Sequence, residues 1–243
     1  MAPGSRSVVP ALWLAALTLA ACAPPTRLPE EIPQPSAPND FPETFYQDAA
    51  RAGARVWRID PQSSEVVVYV YRGGALARLG HNHVIASRDV RGYALMAESL
   101  RQSRADVYLP EWTMTVDDPA LREAAGPGFD TEPSEGDIAG TRRNMLGDAV
   151  LSADKYPFVQ LRVRAVERSG GRTELLSTVT LRGVSRELSI PAIVDISPER
   201  LTVSGTFDLK QSDFGITPFS VLGGKLVVKD EVRIAYRLSA RPL

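Results

Sequence analysis

The sequence predicts an all-β fold: antiparallel strands, about eight to ten by their pattern, with one short inserted helix, closed as a barrel or packed as a sandwich. Three observations carry this. Period-two alternation is clear in the C-terminal half, where Leu201, Val203, Gly205, Phe207 and Leu209 alternate with Thr202, Ser204, Thr206, Asp208 and Lys210. Turn signals such as Gly73-Gly74, Ser169-Gly170-Gly171, Ser197-Pro198-Glu199 and Gly223-Gly224 separate the runs. No regular strand–helix rhythm appears, which disfavours a doubly wound α/β fold.

The N-terminus reads as an address. Arg6 precedes an apolar run from Val8 to Ala20, too short for a membrane span of roughly 20 residues and typical of a signal peptide. Residues 1–21 are therefore read as a lipoprotein signal. Leu19-Ala20-Ala21-Cys22 resembles the bacterial lipobox, and Cys22 is the only cysteine in 243 residues. The resemblance implies acylation of Cys22, with palmitate among the fatty acids expected, and export to the periplasm with an anchor in the outer membrane, since Ala23 and not Asp follows the cysteine. Residues 22–55 are expected to be a proline-rich tether, extended and unpacked through residue 42, followed by a short helix over 43–55 with Phe45, Ala49 and Ala52 on one side.

The folded domain is expected from 56 to 243. Val159–Ala165 and Val232–Ala240 alternate like 201–210, and further strands are expected at 64–72, 83–86, 89–97, 104–109, 173–182 and 186–196. Val66–Tyr71 is apolar on both faces and should be a central, covered strand. Residues 117–150 break the pattern with Asp117, Pro119, Gly126, Pro127, Gly128, Pro133 and Gly136. They read as a long loop with a short helix in 137–148, placing Ile138, Met145 and Leu146 on one face, a rim or lid element.

Composition excludes much chemistry. Lys and Arg total 28 against 29 Asp and Glu, a formal net charge of −1, without the basic surplus of a nucleic-acid binder. One cysteine cannot form an intramolecular disulfide or an iron–sulfur cluster. Ser185, Ser189 and Ser212 lack the nucleophile-elbow context, and Asp213-Phe214-Gly215 stands without any other kinase motif. No catalytic set emerges, and the chain is not expected to be an enzyme. Both histidines, His81 and His83, flank Asn82. On a strand they share a side. They are weak candidates for a metal or haem ligand pair in a periplasmic redox protein, and otherwise contacts for a polar ligand head or a polar turn. Arg142 and Arg143 can meet a phosphate or form a solvated helix face.

Four segments carry a family resemblance: Trp57-Arg58-Ile59-Asp60-Pro61 leading into Val66, Val68 and Val70; Asp154-Lys155-Tyr156-Pro157-Phe158; Thr180-Leu181-Arg182-Gly183-Val184-Ser185-Arg186; and Ser212-Asp213-Phe214-Gly215-Ile216. In this order and spacing they resemble the YceI family of lipid- or polyisoprenoid-binding, lipocalin-like periplasmic proteins. Arg72-Gly73-Gly74 replaces the family's His-x-Gly, and Gly140–Leu146 replaces its usual helix segment. The resemblance implies a lipocalin-like antiparallel β-barrel of about eight strands. Its apolar tunnel is expected to take an isoprenoid lipid, such as a polyprenyl phosphate or a quinone tail, with no other cofactor. The expected tunnel lining is Val68, Val70, Phe158, Leu161, Val163, Val179, Leu188, Ile190, Phe207 and Phe214. His81, His83, Arg142 and Arg143 are the expected head-group contacts. A barrel with a solid core acting as an adaptor is the remaining alternative, and a homodimer is compatible with either form.

Overall fold

The computed structural model describes residue 1, residues 34–169 and residues 172–243. The expected signal segment from residue 2 onward, Cys22 and tether residues 23–33 lie outside the described residues. One compact unit spans Pro35–Leu243.

In chain order its elements are α1 (Glu43–Arg51), β1 (Arg55–Ile59), β2 (Glu65–Val70), β3 (Arg72–Gly73), β4 (His83–Ser87), β5 (Arg91–Met96), β6 (Arg104–Pro110), β7 (Thr115–Val116), α2 (Pro119–Ala125), α3 (Glu135–Leu146), β8 (Phe158–Ser169), β9 (Arg172–Leu181), β10 (Val184–Ile196), β11 (Leu201–Lys210), β12 (Ser220–Val221), β13 (Leu226–Val228) and β14 (Glu231–Pro242). Eight strands close a ring in the order β1, β5, β6, β8, β9, β10, β11, β14 and back to β1. Every pairing in the ring is antiparallel. Closure leaves no exposed ladder edge around the ring.

Three wall strands are bent. β1 and β2 both pair with β14, β5 and β4 pair with β1 and β2, and β4 in turn pairs with β7. Each pair of segments is thus one run interrupted by a kink. The first kink is a short turn at Pro61–Ser63, capped by the Asp60 side chain accepting from the Gln62 N–H. Ser64 bridges the gap to β14, donating to the Ser239 carbonyl and accepting from its N–H. The fold class expected from the sequence, with eight ring strands, is the one observed.

The tether expectation fails for residues 35–42. Pro38 is buried, the Ser36 carbonyl accepts from Arg91 and Tyr108, and Phe41 packs edge-on to Tyr108 at 4.8 Å. The outer face of β5 and β6 carries aromatic side chains that this segment covers. α1 continues the strap. Its buried face is Tyr46, fully enclosed, with Ala49 and Ala50 against it, whereas Phe45 is 42% exposed. The expected Phe45 face is therefore corrected. Tyr46 is preferred because its hydroxyl donates to the buried Asp106 carboxylate at 2.6 Å.

Between 117 and 150 there are two helices where one was expected. α2 has Asp118 as its N-cap, accepting from the Leu121 N–H, and Pro119 at the first helical position. α3 begins with a capping box between Ser134 and Asp137. Met145 is buried, and Ile138 and Leu146 pack against the same core cluster.

Candidate functional site

The barrel encloses an apolar cavity of about 410 Å³, within the range of roughly 300–1,000 Å³ typical of ligand pockets. The alternation read from the sequence builds it. Val203, Phe207 and Leu209 of β11 and Val232, Ile234, Tyr236, Leu238 and Ala240 of β14 all face it. Opposite them β8 supplies Leu161 and Val163, after which a bulge between Val163 and Ala165 shifts the register. Val166 and Arg168 then face inward in place of Ala165. Along β8 the lining runs from Val159 to Arg168, about 30 Å of strand at roughly 3.3 Å per residue. The cavity is elongated.

One end is set by elements outside the ring, the other mainly by the ends of ring strands. Met114, Met145, Val150, Leu151 and Ile216 bound it where α3 and the chain after it cross the barrel. Met96, Leu100, Thr173 and Ile196 bound the other end. The few polar groups at the wall include Ser87, Arg104, Arg168, Thr173 and Gln211. Ser87 is buried, and its hydroxyl has no hydrogen-bond partner among the described residues. The arrangement suits a long apolar molecule, and among the described residues its lining pairs no nucleophile with a base.

Seven of the ten expected tunnel residues line the cavity: Val68, Val70, Leu161, Val163, Val179, Ile190 and Phe207. Phe158, Leu188 and Phe214 do not. Phe158 has the opposite parity to Leu161 and lies on the outer face, edge-on to Tyr108 at 5.5 Å and Trp112 at 5.3 Å. Leu188 and Phe214 belong to the core cluster where the turn Gln211–Phe214 packs on β10, and that packing consumes both side chains.

None of His81, His83, Arg142 and Arg143 reaches the cavity wall. His83 Nδ1 lies 2.7 Å from the buried Asp117 carboxylate. Asp117 also receives the Val84 N–H at 3.0 Å and the buried Arg122 guanidinium at 2.5 Å. Burial opposes ionisation of Asp117, but the bonds from His83, Val84 and Arg122 prevail and hold its carboxyl below the usual range. Arg122 further donates to the carbonyls of Asn82, Phe129 and Thr131, and His81 Nδ1 lies 3.2 Å from the Thr131 hydroxyl. This polar hub fastens the 117–131 excursion over the outside of β2 and β4. Phe129 there covers Tyr69 and Tyr71, ring centroids at 5.7 and 5.8 Å, which is why Val66–Tyr71 can be apolar on both faces. The two imidazoles are 6.3 Å apart, and among the described residues no group of three or more His, Cys, Asp or Glu is placed to hold a metal ion. Arg142 donates to the carbonyls of Met114 and Trp112 and so ties α3 to the chain before β7. Arg143 is exposed.

Three of the four segments that carried the resemblance meet at one end of the barrel, and the fourth, Trp57–Pro61, pairs with the last residues of β14 at the other. Arg182 and Gly183 both have positive φ (52° and 73°), the geometry of a tight two-residue hairpin turn. A Cβ on Gly183 would lie 2.5 Å from the Tyr156 ring, so glycine lets the Tyr156 segment close over the β9–β10 turn. Arg182 donates to the carbonyls of Gly215 and Asp148, both at 2.8 Å. Their role is architectural: they clamp three loops across the barrel end.

Residues 57–240 match the family model described as a YceI-like domain. Among solved structures, the barrel is similar to BcnA of Burkholderia cenocepacia, with a TM-score of 0.55 at 15% identity, covering 74% of this chain and 98% of that one. It is also similar to a polyisoprenoid binding domain from Saccharophagus degradans implicated in plant cell wall breakdown, with a TM-score of 0.50 at 11% identity, covering 77% and 98%. At these identities the likeness establishes the fold. No curated protein matches the chain.

Proposed function

Because the chain belongs to the YceI-like domain family, we propose that it binds and carries an isoprenoid lipid, with the chain of the lipid in the barrel cavity. The carrying observation is the elongated apolar cavity of about 410 Å³ inside a closed wall. A hydrocarbon chain gains roughly 0.8 kcal/mol per buried CH₂, and the wall supplies that burial along most of β8, β11 and β14. The solved polyisoprenoid binding domain with the same fold supports the same class of ligand. Binding and not catalysis is the proposed activity.

We further propose that the chain is an exported lipoprotein, acylated at Cys22 and held at the periplasmic face of the outer membrane by residues 23–34. Several acyl chains on one residue give a stable anchor where one chain does not. Cys22→Ser is expected to move the protein out of the membrane fraction; unchanged membrane association would refute the anchor.

The cargo is tested on the purified full chain by organic extraction and mass spectrometry. A prenyl lipid near one per protein is expected. Val179→Phe, which places a ring in the cavity, should lower that ratio several-fold while the barrel stays folded. An extract without prenyl lipid, or a ratio unmoved by Val179→Phe, would overturn the assignment.

A further inference from the structure

A second, smaller sheet stands at one end of the barrel. β3, β12 and β13 form it, with β13 between the other two. All three strands grow from residues that line the cavity: Val70 precedes β3, Ile216 precedes β12, and Val232 follows β13. The Leu76 N–H donates to the Lys225 carbonyl at 2.7 Å, joining the loop after β3 to the β12–β13 tip.

This flap exposes large apolar side chains at its tips: Leu79 at 60%, Leu222 at 58% and Phe219 at 43%. Leu222 has φ of 54° and is followed by Gly223 and Gly224, a backbone that projects the side chain instead of folding it back. Residues 71–80 and 217–229, which build the flap, include Arg72, Arg78, Lys225 and Lys229 and contain no Asp or Glu. Arg78, Lys225 and Lys229 are exposed, and none of them is ion-paired among the described residues. The adjoining Asp230 is engaged by the N–H and hydroxyl of Ser212 at 2.8 and 2.6 Å.

We propose that this flap is a membrane-docking surface that inserts Leu79, Phe219 and Leu222 at the headgroup boundary of a bilayer carrying anionic lipids, with Arg78, Lys225 and Lys229 on the phosphates. Apolar tips ringed by basic side chains match an interface that is apolar inside and negative at its surface. The far end of the barrel also exposes apolar residues, Ile193 at 65% and Ile196 at 45%, but residues 193–200 carry Asp195 and Glu199 against the single Arg200 and lack the flap's basic surplus. The proposal rests on the lipid-carrying reading, since it brings the end of the cargo barrel to the cargo's source.

The test uses the full chain with one added tryptophan, either Leu222→Trp on the flap or Ile193→Trp at the far end. Each is mixed with vesicles of phosphatidylcholine and phosphatidylglycerol that contain brominated phosphatidylcholine, and fluorescence is read as the difference from the parent. At least twofold quenching is expected for Leu222→Trp and none for Ile193→Trp. Adding Arg78→Glu, Lys225→Glu and Lys229→Glu should abolish most of the flap quenching, as should vesicles of phosphatidylcholine alone. Equal quenching at both positions, quenching only at 193, or indifference to the charge reversals would overturn the proposal. Prenyl lipid is weighed in the same preparations, so a failure of docking with cargo retained is distinct from a failure of the cargo assignment.

Discussion

Glu111 follows β6, fully enclosed, and neither of its carboxylate oxygens has a hydrogen-bond partner among the described residues. Burial pushes its carboxyl up to about 8. In the unfolded chain the same group titrates near 4.3. Between those values the unfolded state releases a proton that the native state keeps, so stability falls as pH rises, by about 1.4 kcal/mol per unit, and levels off above about pH 8. Glu111→Gln removes this dependence. Urea unfolding at pH 5, 6, 7 and 8 should show the variant gaining on the parent at each step; a constant difference over that range would contradict it. Nothing local marks Glu111, which sits between Pro110 and Trp112 like any turn residue. The same holds for the Asp117–Arg122 pair: Asp117 reads as loop punctuation, and its bond to His83 spans 34 positions.

Strands were legible where one face is dry and the other wet. β11 and β14 follow this closely, because most of their inward side chains meet the cavity and outward ones, such as the paired Asp208 and Arg233, meet solvent, while Ser239, outward by parity, is buried against Ser64. α1 was legible as a helix but not in its face, since what selects Tyr46 over Phe45 is Asp106, 60 residues away. Burial, with the bond to Asp106 next, raises the Tyr46 hydroxyl above its ordinary range, so it stays a donor at any working pH. Tyr46→Phe leaves that carboxylate short of a partner and should cost about 1–3 kcal/mol, seen as a lower urea midpoint and faster proteolysis within residues 35–51. An unchanged midpoint and digestion pattern would show that the strap is held by apolar contact alone. α2 and α3 carried readable caps in Asp118-Pro119 and in Ser134 with Asp137. The glycines and prolines around them masked the signal.

At the scale of the molecule, a closed barrel with an internal cavity has given up dispersion contacts that a solid core would make. A ligand of matching shape restores them, and it stabilises the native state by RT ln(1 + [L]/Kd), about 2.7 kcal/mol at a hundredfold excess over Kd. Solvent-extracted protein should therefore melt several degrees below the loaded form, and added geranylgeraniol should restore the midpoint. A midpoint unchanged by extraction would mean that the cavity is empty in both preparations.

The sequence by itself determined the inward and outward faces along most of β11 and β14, the covered central strand at Val66–Tyr71, the helix over α3 and the order of the four segments shared with the family. These depend on which residues alternate and which cannot, and alternation is written locally. Tertiary structure decided which inward residues bound empty space and which are spent on packing: Val163 faces the cavity while Phe214, equally apolar, fills the wall. It also decided that His83 and Arg142 hold loops and do not line the cavity. A cavity is the difference between the volume a closed ring encloses and the volume its inward side chains fill. That difference depends on the β8 bulge and on the elements that cross the barrel ends, and neither can be read from any one strand.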